Sequence, residues 1–206
     1  MKTAEKVDLY RQYSKEYEAS RKPVLVKVGL ATYLSISGQG APGGGAFSEA
    51  IGALYGVAFT VKMTRKFAGK RDYVVSKLEG LWPDFNSGEP LPDKEHWNWR
   101  MLIRTPKFVT QKEVAQAIEV LLKRGKGAKV RRVRLESLEE GLCVQALHVG
   151  PYANECETIA AMKSFAESEG LKLCGVHHEI YISDPRRVAP AKLKTILRHP
   201  TEKVTT

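Results

Sequence analysis

Two kinds of apolar spacing alternate along this chain, and they do so in the same order twice. Tyr33-Leu34-Ser35-Ile36-Ser37-Gly38 reads as a strand, and Phe47, Ile51, Leu54 and Tyr55 then fall at the i, i+4, i+7, i+8 spacing of a helix with one buried face. A second strand pattern from Asp72 ends in Leu78-Glu79-Gly80-Leu81-Trp82, and a third runs from His96 to Arg104. Further on, the strand pattern Gln145-Ala146-Leu147-His148-Val149-Gly150 leads to a helical stripe of Ile159, Met162, Phe165 and Ala166 that stops at Gly170. Strand patterns from Val176 to Ile182 and from Leu193 to Arg198 complete the second copy. The order strand, helix, strand, strand, met twice, predicts an α+β fold built as a tandem pseudo-two-fold repeat. Its sheet should be mainly antiparallel, with helices on one face and a ligand cleft on the other.

These signals divide the chain into a polar leader over residues 1–23, a domain over 24–200 and a tail over 201–206. Within the domain, repeat one takes about 24–104, a connector helix 105–128 and repeat two 129–200. Thr110-Gln111-Lys112-Glu113 is a capping box that starts the connector helix, whose buried stripe is Val114, Ala117, Ile118, Leu121 and Leu122, with Gly125 as its stop. The glycines between Gly38 and Gly45 make a turn. They lack the Lys-Ser/Thr pair of a phosphate-cradling loop, although a loop there could still close over a ligand.

Composition narrows the function classes. The 206 residues are 43% apolar and 27% charged, enough for one or two small domains with a core. The N-terminal residues lack the apolar run of a signal peptide, and no stretch approaches the roughly 18 apolar residues of a membrane span. A cytoplasmic protein is expected. Cys143, Cys156 and Cys174 have no paired metal-ligand spacing and read as reduced, mostly buried thiols. The net charge of +10 is strongest between Lys123 and Arg134, where Val130 and Val133 interrupt the basic run. With no nucleic-acid-binding motif beside it, that run reads as a solvated loop and edge strand, and no specific nucleic-acid partner is expected.

The candidate chemistry lies on two strands. Alternation puts His177, Glu179 and Tyr181 on one face, with Ile180 and Ile182 turned toward the helices, and it puts Trp97, Trp99 and Met101 together on another strand. A carboxylate against aromatic walls can serve as a general base with a raised pKa, or it can stay ionised and hold a flat cation. Alternatively, Glu179 is an exposed strand residue or an ion-pair partner for one of the 33 lysines and arginines. Glu79, beside Trp82 and equivalent to Glu179 by the repeat, could simply pair with Lys77. His148 reads as structural, and Tyr152 as either a ligand hydroxyl or a packing residue. No histidine or carboxylate spacing suggests a metal, and no cofactor is expected.

His148-Val149-Gly150-Pro151-Tyr152, His178-Glu179-Ile180-Tyr181-Ile182-Ser183-Asp184-Pro185-Arg186-Arg187 and Leu193-Lys194-Thr195-Ile196-Leu197-Arg198 resemble the GyrI-like small-molecule-binding family. Lys77-Leu78-Glu79-Gly80-Leu81-Trp82 and Trp97-Asn98-Trp99-Arg100-Met101-Leu102-Ile103-Arg104 are similar to its stand-alone branch, without a preceding DNA-binding domain. The resemblance implies a central cleft for hydrophobic, planar or cationic ligands. It also implies hydrolysis of cyclopropanoid cyclohexadienone DNA alkylators by water addition, with non-catalytic sequestration of cationic drugs as the alternative. On that basis Glu179 is the expected base or water-orienting group, Glu79 a second carboxylate, and Tyr181 or Tyr152 a hydroxyl donor. Trp82, Trp97 and Trp99 would stack on the ligand, with His177 and Met101 beside them. Pro83 departs from the family pattern, in which a second tryptophan commonly follows Trp82.

Overall fold

A computed structural model describes residues 6–82 and 93–204, and they gather into two compact units. The first takes residues 6–12, 31–78 and 93–138, and the second takes 13–30, 79–82 and 139–204. In chain order the principal elements are α1 (Leu9–Gln12), α2 (Ser14–Tyr17), β1 (Val24–Val28), β2 (Ala31–Gln39), α3 (Gly45–Phe67) and β3 (Leu78–Trp82). They continue with β4 (Asn98–Thr105), α4 (Gln111–Lys123), β5 (Arg134–Leu138), β6 (Gly141–Val149) and α5 (Glu155–Ser168). The last are β7 (Leu171–Leu173), β8 (His177–Tyr181) and β9 (Lys194–Lys203). The predicted α+β class is what the chain adopts, and every described strand ladder is antiparallel. Among the described residues, no helix is long and apolar enough to cross a membrane.

In the first unit, β2 lies between β4 and β5. Helix α3 packs on β2 and β4, and α4 packs on α3. The buried stripe of α3 is rotated from the predicted one. Leu54 is in it, but its companions are Ala50, Ala53, Val57, Ala58 and Val61, while Phe47, Ile51 and Tyr55 sit at the margin. Small alanine side chains bring the helix closer to its neighbours, and the larger residues then fit at the edge of the contact. The capping box forms as predicted: Thr110 Oγ1 accepts from the Glu113 amide, and the Glu113 carboxylate accepts from the Thr110 amide. Glu113 also pairs with Arg65 at 2.6 Å and Lys70 at 3.0 Å, so the cap is tied to the end of α3. The basic run ends in a 3-10 turn and β5, with Lys129 paired to Glu49 and with Val130 and Val133 buried.

In the second unit the strand order is β1-β6-β9-β8-β3, with β7 beside the far end of β9. Helix α5 packs through Met162 and Ala166 against Val144, Ala146 and Leu197. Each large apolar side chain buried there contributes roughly 1.5–3 kcal/mol. The segment before Pro23 is only partly polar in its role: Leu9 is buried in the first unit, and Glu16 and Tyr17 are buried in the second. The cysteines divide as well, Cys143 being buried, Cys174 half-buried and Cys156 exposed, which corrects the expectation that most are buried.

Candidate functional site

Strand β8 carries the site. It lies between β3 and β9, so its backbone groups are paired on both sides and its side chains are held at fixed positions. Alternation sends His177, Glu179 and Tyr181 to one face and His178 and Ile180 to the other, as the sequence predicts. The expectation about the helix is corrected. Leu197 sits opposite Glu179 in the ladder and Ala146 opposite Leu197, so α5, which packs on Leu197 and Ala146, covers the Glu179 face.

On that face, the Glu179 carboxyl lies among Trp82, Tyr152 and Tyr181 and beside His177 and Glu155. The Trp82 indole N–H donates to the Tyr181 hydroxyl at 3.0 Å, and the Tyr152 ring stands edge-on to Tyr181 with centroids 6.0 Å apart. The Tyr181 hydroxyl in turn bonds the Glu179 carboxylate. Burial and that carboxylate push the Tyr181 phenol well up, and burial with Glu179 pushes Tyr152 up to about 12, so both remain hydrogen-bond donors at neutral pH. His177 Nε2 lies 3.5 Å from Glu179 Oε1, and its Nδ1 is 2.9 Å from His199 Nε2 on β9. Burial, reinforced by the His177 ring, holds the His199 pKa down at about 3.

Glu155, the first residue of α5, completes the group, and sequence reasoning missed it. One ligand atom each from Glu155, His177 and Glu179 lies within 4.8 Å of the others, and the Glu155 and Glu179 carboxyls are hydrogen-bonded to each other. All three residues are buried. A glutamate in the first turn of a helix complements the helix dipole, so nothing in its local sequence separates it from an ordinary surface residue. Tyr152 is placed by Gly150, whose φ of 148° lets the chain turn into Pro151. His148 has both ring nitrogens engaged, by Thr158 Oγ1 and the Pro151 carbonyl, as expected of a structural histidine that holds the start of α5.

Glu79 is not beside Glu179. In the β3–β8 ladder Gly80 faces Glu179, and Glu79 faces Ile180, which turns the Glu79 side chain to the opposite face with His178. There it accepts from Tyr17 Oη at 3.0 Å and lies 3.0 Å from His178 Nε2, while Lys77 sits over the Tyr10 ring. His178 Nδ1 is 2.9 Å from Glu140, which also pairs with Arg198 at 3.0 Å. Arg198 bonds Gln145 and the Glu16 carbonyl. Burial alone would lower the His178 pKa, but Glu140 and Glu79 outweigh it and raise it to about 9. Burial alone would raise that of Glu140, but His178 and Arg198 hold it at about 2. In this buried ionic network each charge faces an opposite one, Glu79 Oε2 and His178 Nε2 meeting as an ion pair without hydrogen-bond geometry, and its role is structural in kind.

Trp97, Trp99 and Met101 belong to the first unit. Trp99 donates from Nε1 to the Gly40 carbonyl, meets Phe47 edge-on at 5.2 Å and covers Gly38 so closely that a Cβ there would lie 2.2 Å from the ring. Met101 is fully buried, and Trp97 is half-buried with Lys94 over its ring. Pro83 lies outside the described residues.

A buried carboxyl beside aromatic rings is the kind of lining that suits a small organic molecule. The chain belongs to the GyrI-like family: the model of the GyrI-like small molecule binding domain matches residues 22–200. Two solved Listeria innocua structures are similar over the whole fold. One is of an uncharacterized conserved protein, with 39% identity and a TM-score of 0.89, and the other of a hydrolase, with 38% and 0.88. Each comparison covers 96% of this chain and 100% of the relative. The EcmrR C-terminal domain, at 14% identity and a TM-score of 0.56, over 88% of this chain and 98% of that one, shares the fold. No curated protein matches this chain.

Proposed function

We propose that this protein binds flat, hydrophobic or cationic small molecules over Glu179 and hydrolyses cyclopropanoid cyclohexadienones, protecting a cytoplasm from DNA alkylators. The observation that carries this reading is the Glu179 carboxyl, buried beside Trp82, Tyr152 and Tyr181 in one unit. The relatives that share 38% identity and are called hydrolases support the catalytic half of it.

The chemistry asks little of the protein. A spiro-fused cyclopropane is strained, and its opening turns a dienone into an aromatic phenol, so orienting one water and stabilising charge at the dienone oxygen suffices. Glu179 is the water-orienting group, and its hydrogen bond from Tyr181 keeps one oxygen fixed while the other meets the water. Tyr152, 38% exposed, is the hydroxyl free to reach a ligand, and its ring with that of Trp82 supplies the flat walls. A second reading, sequestration without turnover, rests on the same carboxylate and aromatic rings, which also suit a delocalised cation.

The two separate by stoichiometry. Purified protein mixed with excess cyclopropanoid alkylator should yield water-added product, followed by mass spectrometry, well beyond one equivalent. Product or protection that stops at one equivalent withdraws the hydrolase reading and leaves the binder.

A further inference from the structure

We propose that Glu155 is the acid half of a carboxyl–carboxylate dyad with Glu179, the pair holding one proton between them and using it in each turnover. The role of Glu155 rests on the hydrolase reading, whereas the shared proton does not. Glu155 Oε1 is buried without a hydrogen-bond partner, and among the described residues no lysine or arginine pairs with Glu155 or Glu179. Two adjacent buried carboxylates without a compensating cation cannot both ionise.

The groups that face the pair come from each neighbouring element: His177 and Tyr181 from β8, Tyr152 from the turn before α5, and Trp82 from β3, with His199 of β9 behind His177 and Asp184 farther off. Tyr181 donates to Glu179, so Glu179 is the partner stabilised as the anion. The proton therefore resides on Glu155. Burial and the Glu179 charge push the Glu155 carboxyl up to about 10, in line with that assignment.

The dyad completes the water addition with all atoms and electrons accounted for. The water oxygen bonds to the cyclopropane carbon, the strained C–C bond breaks, and its electron pair enters the ring, which becomes aromatic. The dienone oxygen takes the Glu155 proton to become the phenol, and the proton released by water passes to Glu179. Transfer of that proton from Glu179 to Glu155 restores the starting state.

Glu155→Gln tests this in two independent ways. For turnover of a cyclopropanoid cyclohexadienone, kcat should fall about 100-fold at neutral pH with KM little changed. The alkaline decline of the wild-type kcat should vanish in the variant. For stability, the folded protein must keep a proton that the unfolded chain releases near pH 4.5, so the variant should melt above wild type by a margin that widens from pH 4.5 toward 10. Glu179→Gln removes the like charge but not the burial of Glu155, so its margin over wild type should widen less than that of Glu155→Gln and only at alkaline pH, and it serves if Glu155→Gln fails to fold. An unchanged kcat in Glu155→Gln removes the catalytic role, and a margin that does not vary with pH in either variant overturns the shared proton. Wild-type turnover that is lost on chelation and restored by zinc or manganese overturns it too, because a cation would then stand where the proton is placed. If the wild type turns over no cyclopropanoid, the hydrolase reading fails and the melting margins still judge the dyad.

Discussion

Glu179 is buried and hydrogen-bonded by the Tyr181 hydroxyl, and a carboxylate so placed is costly unless its charge is used. Replacing it with Gln keeps its shape and removes the charge. That variant should fold and lose most turnover, or most affinity for a planar cation, when assayed by mass spectrometry and calorimetry; wild-type values for both would remove Glu179 from the site. Trp99 calls for the opposite outcome. Its indole N–H is satisfied by Gly40, and its ring fills the space above Gly38 and beside Phe47, which is how a core residue is held. Trp99→Ala should lower stability by about 3–5 kcal/mol and leave ligand affinity per folded molecule at its wild-type value. A large affinity loss with an unchanged melting temperature would instead return Trp99 to the ligand wall.

At the scale of elements, β8 separates two kinds of polar chemistry by a single residue step. One face presents the candidate catalytic group, and the other fixes the strand through His178, Glu140, Arg198, Glu79 and Tyr17. The folded-state pKa of His178 is raised from 6.5 to about 9. Its contribution to stability is therefore complete below pH 6.5 and lost as pH rises through about 9. Glu140 and His199 act in the other direction. Both are depressed, so stability falls as pH drops from 4.5 toward 2 for Glu140 and from 6.5 toward 3 for His199. The melting temperature should thus peak at about pH 5–7 and decline on both sides, with the alkaline decline reduced in His178→Asn. That variant also leaves Glu79 and Glu140 short of a partner, so its melting curve should lie below wild type at neutral pH. A melting temperature flat from pH 6.5 to 9 would mean that His178 is not charged in the fold.

For the molecule as a whole, the compact units are assembled from strands that lie far apart in the sequence. β1 joins the second unit by pairing with β6, and β5 joins the first by pairing with β2, so the first strand of each repeat serves the other unit. A local reading of the chain sees the repeat but not this exchange, because neighbouring residues record only the strand pattern and not the partner.

The amino-acid sequence by itself determined what depends on near neighbours. Alternation set which residues of β8 share a face, the helical stripes and Gly125 and Gly170 bounded α4 and α5, and the Thr110–Glu113 cap formed where its spacing required. The tertiary structure alone decided what depends on register and docking. Which face of β8 the helix covers follows from the β8–β9 and β6–β9 ladders, and the turning of Glu79 away from Glu179 follows from its pairing with Ile180. Glu155 enters the site only because α5 docks with its first turn over β8, and Arg198 finds the Glu16 carbonyl across 182 residues of chain. Periodicity is a property of consecutive backbone dihedrals. Burial of a charge, and hence its chemistry, is a property of whatever distant segment closes over it.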